Sequence, residues 1–284
     1  MVKVDSLYHD YEGKGSYAVE DVGFEIPAGR IFGFLGPSGA GKSTVQNLMT
    51  ALLPIQRGEI SYDGTSVRDV TPEFFNRIGY SFELPNMYSK LTGLENLRFF
   101  ASLFSVPTDD PLRLLDTVGL GDATHKRAGR YSKGMKQRLV FARSIINRPS
   151  ILFLDEPMAG LDPSTAARIK DIIRQKRSEG VTIILTTHNM YAADELCDEV
   201  AFLHDGRMIA RDTPRNLKLQ YGERAVRVEY EENDTVQEQL LFPDREEDRL
   251  RLAELVQNAR IQTMHSQEAT LEQIFMQMTG RGLQ

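Results

Sequence analysis

Three short stretches hold side chains whose types and spacing could handle a triphosphate. The first is "GPSGAGKST", Gly36 to Thr44, which fits G-x-x-x-x-G-K-[ST] through Gly36, Gly41, Lys42 and Ser43. Glycines let successive backbone N–H groups turn inward around phosphate oxygens, and a helix start just beyond adds its positive end. Gly36, Pro37, Ser38, Gly39, Ala40, Gly41, Lys42, Ser43 and Thr44 are therefore expected to cradle nucleotide phosphates. Lys42 would reach the β- and γ-phosphates, and the Ser43 hydroxyl would ligate Mg²⁺. The second stretch is "ILFLDEP", an apolar run ending in Asp155 and Glu156. Acids at the C-terminal end of a parallel strand sit where open α/β sheets bind ligands. Asp155 suits a Mg²⁺ ligand acting through water, and Glu156 suits polarising an attacking water at the γ-phosphate. The third is "TIILTTH", which brings His188 to the same sheet edge, where it could hold that water or donate to the γ-phosphate. His9, His125, His204 and His265 have no such setting and receive no role.

These groups need a scaffold that collects strand ends. Ile31–Leu35, Ile151–Leu154 and Val181–Thr187 are short apolar runs without polar alternation, as in a parallel sheet covered on both faces. An amphipathic helix is expected from about Lys42. Between the second and third strands, "PSTAARIKDIIRQKRSEG" reads as a helix capped by Ser164 or Asp162 and stopped at Gly180. Strand, helix and strand in that order imply a right-handed crossover and a doubly wound α/β core. From about Leu84 to Arg148 the chain is helix-like with little strand character, which suggests an inserted helical subdomain. Thr213 and Pro214 open a helix that Gly222 closes. Beyond it, "RAVRVEYEE" and "VQEQLLFPD" alternate like half-buried strands, "REEDRLRLAELVQNAR" is helical, "IQTMHS" extended and "TLEQIFMQMTG" helical. Residues 223–284 are thus expected to form a small α+β appendage.

Composition removes several classes. Across 284 residues, 41% hydrophobic and 26% charged content is that of a globular protein. A net charge of −6 gives no basic face for nucleic acid, and none is expected as a partner. The single Cys197 cannot form an internal disulfide, and beside Leu196 it reads as a small apolar residue in a reducing compartment. No run approaches the ~20 apolar residues of a membrane span, and the N-terminus lacks a secretion pattern. A cytoplasmic location is expected, with any membrane role reached through a partner.

A phosphate loop with two acids leaves several classes open, and "YSKGMKQRL", Tyr131 to Leu139, narrows them. Gly36–Thr44, then Ser132-x-Gly134 shortly ahead of Asp155–Glu156, then "AGLD" at Ala159–Asp162, then His188, resembles ABC-transporter ATPase subunits over about residues 1–222. The variant turn and "TLEQIFMQMTGRG" resemble the drug- and antibiotic-exporter branch. The resemblance implies a P-loop NTPase core, α/β with a parallel sheet and an antiparallel edge subdomain. A helical subdomain at about 84–148 would be inserted in it. It also implies ATP and Mg²⁺, a separate integral membrane permease, and a second ATPase subunit packed head to tail. Ser132 and Gly134 would then contact the γ-phosphate held by the partner's loop, with the following helix aimed at that charge. Tyr11 matches the aromatic that stacks on adenine, and Tyr17, closer to the next strand, is a second candidate. Asp162 matches the loop that links the two sites, Glu156 the catalytic carboxylate and His188 the switch histidine.

Two departures from the family pattern stand out. Where the common signature is Leu-Ser-Gly-Gly-Gln, this chain has Tyr-Ser-Lys-Gly-Met, which keeps the hydroxyl and the close backbone approach, adds Lys133 and loses an amide at Met135. Glu83 stands where a Gln is usual; its oxygen can still ligate Mg²⁺, while its charge either slows hydrolysis or tightens the metal. The stretch after it, Leu84 to Leu91, normally meets the membrane partner, with Met87 and Tyr88 as contacts or as buried residues of the helical subdomain. The expected function is an ATP-hydrolysing exporter subunit on the cytoplasmic face of the membrane. A binding-only degenerate subunit, a soluble ABC-type ATPase and a P-loop small-molecule kinase are the alternatives.

Overall fold

The computed structural model describes residues 1–232 and 235–280, and the chain divides into two compact units after Asp212. In the first unit, strands β1 (Val2–His9) and β2 (Val19–Ile26) precede β3 (Ile31–Leu35) and helix α1 (Lys42–Met49). Then come β4 (Arg57–Tyr62), β5 (Thr65–Ser66) and β6 (Ile78–Ser81). Helices α2 (Gly93–Ala101), α3 (Pro111–Thr117) and α4 (Lys133–Ser144) form the helical insertion. Strand β7 (Ile151–Asp155), α5 (Pro163–Ser178), β8 (Thr182–Thr187), α6 (Met190–Leu196), β9 (Glu199–His204) and β10 (Arg207–Asp212) complete it.

Six strands pair in the order β10-β9-β3-β8-β7-β6, parallel except at the β9–β10 edge. All residues of β3, β7 and β8 are buried, as sequences with no polar alternation require when helices and a second sheet cover both faces. The second sheet, β2-β1-β4-β5, is antiparallel. Phe24 of β2 packs on Phe32 and Phe34 of β3 with ring centroids 5.1 Å apart, joining the two sheets into one core. Each such buried ring contributes roughly 2–3 kcal/mol. In β1 the buried positions run Val2, Val4, then Leu7 and His9. Ser6, at φ 42°, sits where the pairing register slips and resets the alternation.

Caps fix where the helices begin and end. Asp162, not Ser164, caps α5: its Oδ1 accepts from Thr165 N at 3.0 Å, and Ser164 donates its own hydroxyl to the same oxygen at 2.6 Å. Those donors hold the Asp162 carboxyl well below the usual carboxylate range. Gly180, at φ 89°, follows the helix end in the left-handed region where glycine costs least. Cys197 is buried and a side chain at Gly33 would meet its sulfur at 2.7 Å, so the thiol serves as a small packing group.

In the C-terminal unit α7 (Pro214–Tyr221) is followed by β11 (Ala225–Glu232), β12 (Thr235–Leu241), α8 (Glu246–Asn258), β13 (Arg260–Gln267) and α9 (Leu271–Thr279). The sheet is antiparallel, β12-β11-β13, with Val228, Tyr230 and Leu241 packed against Leu255 of α8. Helix α7 contacts α9 and belongs to this unit, so the division falls earlier than the expected end of the first domain at 222.

Candidate functional site

The C-terminal ends of β3, β7 and β8 open onto a cavity of about 460 Å³. It is lined by Tyr11, Ala18, Ser38, Gly39, Gly41, Lys42, Ser43, Thr44, Glu83, Asp155, Glu156 and His188. That volume suits a nucleotide-sized ligand. Three carboxylates face one ammonium in it.

The loop between β3 and α1 has the backbone its glycines allow. Gly41 precedes α1 at φ 102°, and a Cβ there would lie 2.4 Å from the Ala18 carbonyl oxygen. Lys42 is buried, and its Nζ donates to the carbonyls of Gly36 and Pro37 at 2.8 Å, which holds the ammonium within the loop's curve. Burial lowers its pKa, and Glu156, Asp155 and Glu83 oppose that shift. Gly36, Pro37 and Ala40 do not line the cavity themselves; the first two supply those carbonyls and Ala40 is buried.

Asp155 ends β7 in register with Thr186 of β8. Its Oδ1 accepts from the Thr186 hydroxyl and its Oδ2 from Ser43 Oγ at 3.2 Å. Burial pushes this carboxyl above its ordinary value, against the two hydroxyl bonds that favour the charged form. A desolvated carboxylate beside a hydroxyl is a hard-oxygen donor set of the kind that would fit Mg²⁺. Glu83, at the exposed rim, adds a third oxygen group to the same wall.

Glu156 follows at φ 47°, in the left-handed region, costing about 1–2 kcal/mol. The turn ends the strand and sends the carboxylate toward His188. Oε1 accepts from His188 N at 2.8 Å and pairs with His188 Nδ1 at 2.7 Å, while Oε2 accepts from Thr187 Oγ1 at 3.0 Å. For that pairing Nδ1 carries the hydrogen, so the neutral ring presents Nε2 as an acceptor. A buried carboxylate oriented by three donors beside phosphate-binding groups can align and polarise a water.

Tyr11 leans on the same loop, its hydroxyl 3.1 Å from Thr44 Oγ1 and its ring edge-on to His9. The chain past it is folded by Asp10, whose carboxylate accepts from the backbone N–H groups of Glu12, Gly13 and Gly15. Tyr17 does not line the cavity; its ring packs on Tyr8, 5.5 Å between centroids.

Ser132, Gly134 and Asp162 lie outside this cavity. Ser132 caps α4, its Oγ accepting from Met135 N at 3.2 Å. Gly134 lies against the loop that leads to Asp162: a Cβ on it would meet Leu161 Cδ2 at 3.5 Å and the Gly160 carbonyl at 3.7 Å. The signature-like turn and the "AGLD" loop thus lie against each other, and neither lines the phosphate-loop cavity.

Thr186, Thr187, Ala18 and Gln46 were not singled out from the sequence. Aligning the ends of "ILFLDE" and "TIILTTH" as neighbouring strands would have placed both threonines opposite the acids. Gln46 is buried, donates toward the carbonyls of Leu154 and Ile184, and accepts from Tyr80 at 3.2 Å; only the folded sheet brings those partners together.

A mixed sheet with an antiparallel wing, a helical insertion and a phosphate loop facing two acids and a histidine defines a nucleotide-binding ATPase cassette. The ABC transporter family model matches residues 19–159. Over all 284 residues the chain is 48% identical to a fluoroquinolones export ATP-binding protein of Mycobacterium tuberculosis, covering 94% of that protein. It is 35% identical over 209 residues to a lantibiotic transport ATP-binding protein of Streptococcus pyogenes, covering 74% of this chain and 89% of that one. A daunorubicin/doxorubicin resistance ATP-binding protein of Streptomyces peucetius shares 36% over 218 residues, 75% of this chain and 66% of that one. Among solved structures, an ATP-binding subunit of an ABC transporter superimposes with a TM-score of 0.70 at 29% identity, over 78% of this chain and 93% of that one. A dimeric post-hydrolysis cassette bound to ADP and Pi gives 0.69 at 25% identity, over 75% and 98%. The chain belongs to the ABC transporter ATP-binding subunit family.

Proposed function

We propose that this ATPase drives an exporter of antibiotic-like molecules through a separate membrane permease, from the cytoplasmic side. The relatives named for fluoroquinolones export, lantibiotic transport and daunorubicin/doxorubicin resistance support that substrate class. Among the described residues no helix is long and apolar enough to cross a membrane, and in this reading the pathway through the bilayer belongs to the permease.

In this reading the phosphate loop and Lys42 bind the triphosphate, Ser43 and Asp155 hold Mg²⁺ with Glu83 beside them, and Tyr11 packs on the base. The metal would draw charge from the phosphate oxygens. Glu156 orients the attacking water and takes its proton, while His188 holds that carboxylate in place. Phosphoryl transfer of this kind needs positioning and charge stabilisation more than covalent chemistry. The γ-phosphate would be capped by Ser132 and Gly134 of a second subunit, so that ATP closes a homodimer and hydrolysis reopens it. The observation that supports this reading is the split just described: loop, acids and histidine share one cavity, and the Ser132 turn of the same chain does not line it.

Glu156→Gln keeps the bonds to Thr187 and His188 within reach but removes the base. With ATP and Mg²⁺, light scattering on a sizing column should show a stable dimer, and turnover should fall by on the order of a hundredfold or more. A monomer with unchanged turnover would contradict both the role and the assembly.

A further inference from the structure

Tyr11 stands 61% exposed at the wall of the ATP cavity, on a loop that is neither strand nor helix. The residue before it is tied down from two sides. Asp10 lies one position past the end of β1, and Gln56 one position ahead of β4. Asp10 N donates to Gln56 Oε1 and Gln56 Nε2 donates to Asp10 O, each at 2.8 Å. A side-chain amide that both accepts from and donates to one residue reproduces the hydrogen-bonded pair of an antiparallel ladder. The β1–β4 pairing ends at Tyr8 and Arg57, and Gln56 carries it on to Asp10 without a further strand residue.

The Asp10 carboxylate binds the other way, into the loop. Oδ1 accepts from Glu12 N at 2.9 Å and Gly13 N at 3.0 Å, and Oδ2 accepts from Gly15 N at 2.6 Å. Gly13 and Gly15, at φ 69° and 84°, take backbone angles that glycine adopts freely, which lets their N–H groups turn back to one carboxylate. Asp10 is buried, and among the described residues no cation is paired with it. Residues 11–17 are all exposed, so the loop is ordered without burying apolar surface of its own. Ordering a segment costs conformational entropy, and paying that cost in the free protein spares it when a ligand binds. Tyr11 is the group so placed. Its hydroxyl meets Thr44 Oγ1 at 3.1 Å, and the buried His9 ring backs it edge-on, 4.6 Å between centroids.

We infer that Asp10 and Gln56 are positioning residues for the nucleobase, holding the Tyr11 ring in its packing position before ATP arrives. This rests on the reading of Tyr11 as the residue that packs on the base, and it adds what fixes that ring.

The base can be separated from the phosphates by titration calorimetry on the full chain, with ATP and inorganic tripolyphosphate as probes. Tyr11→Ala should raise the Kd for ATP about tenfold, as loss of one base–ring stack does. Gln56→Leu, a change at an exposed position, should raise it about fivefold. Its Kd for tripolyphosphate and its kcat should stay at the wild-type values. Asp10→Asn should behave in the same way, because a single amide oxygen cannot serve both the Glu12–Gly13 and the Gly15 N–H groups. In a Tyr11→Ala chain, Gln56→Leu should add nothing, since it acts only through that ring. A change that merely loosened the fold would weaken both probes and would still weaken ATP once the ring is gone. Such a pattern overturns the inference, as does wild-type ATP affinity in both Gln56→Leu and Asp10→Asn; in either case a weakened Tyr11→Ala leaves the Tyr11 reading standing. Unchanged ATP affinity in Tyr11→Ala overturns both.

Discussion

Two cavities of the first unit are charged in opposite senses. The cavity at the strand ends sets Asp155, Glu156 and Glu83 against Lys42, whereas the groove under the helical insertion sets Arg143 among aromatic rings. In each, burial works against the charge: the Asp155 carboxyl is pushed up and the Arg143 guanidinium down. Folding alone would favour neutral groups at both places, because a desolvated charge costs stability unless it is paired. Their linings also differ in origin. Two strand ends and one loop build most of the first, and segments from Thr50 to Asn147 are gathered for the second.

The comparison can be broken most sharply at Asp155. Asp155→Asn should lower ATPase turnover by on the order of a hundredfold, yet raise the melting temperature of the nucleotide- and metal-free protein at neutral pH. The folded pKa lies above the unfolded one, so the folded form binds the proton more readily. The cost of ionisation is present above the folded value and vanishes as pH falls below the unfolded value near ~4. The melting-temperature gain should therefore shrink on acidification; a gain that grows at low pH would contradict the argument.

A smaller effect is expected at the hydroxyl that steadies this carboxylate. Thr186→Val removes a donor from Asp155 without touching the phosphate loop, and the Mg²⁺ concentration for half-maximal ATPase should rise about tenfold, as outer-shell losses do. An unchanged Mg²⁺ dependence would remove Thr186 from the metal's surroundings. Next, Gly41→Ala forces a Cβ toward the Ala18 carbonyl at a backbone angle of 102°, and unfolding by urea should show a loss of about 1–3 kcal/mol. The smallest effect belongs to the groove. Arg143→Met keeps the volume and removes the desolvated charge, so the isolated chain should melt at or slightly above the wild-type temperature. A clear drop would mean that the guanidinium's bonds to Asn86 outweigh its burial.

Much of the first cavity was legible because its parts are local. The phosphate loop, "ILFLDEP" and "TIILTTH" each carry strand, turn and functional group within a few residues, and β3 spans the Ile31–Leu35 expected for it. The antiparallel wing was not read from residue pattern, since the bulge at Ser6 breaks the alternation of β1 and its partners lie far along the chain. Strands β9 and β10 escaped notice for a related reason: β10 alternates between exposed and half-buried residues and has little apolar signature. In the groove, Met87 and Tyr88 were suspected, but Arg143 lies inside "MKQRLVFARSIINR" and reads there as an ordinary helix cation. Only tertiary packing shows that, among the described residues, no carboxylate is paired with it. The position of Ser132 could be named from resemblance, while its absence from the lining of the Lys42 cavity required the fold.

The central claim is that each triphosphate is held by the loop of one subunit and the turn of another. It can be tested by mixing two crippled chains, Lys42→Ala and Ser132→Arg, in a Glu156→Gln background and measuring ATP retained after rapid gel filtration. Each chain alone should retain none, and the mixture should retain one ATP per dimer, because the intact loop of one chain then meets the intact turn of the other. If the mixture retains no more than its components, the turn serves the chain that carries it, and the composite site is wrong.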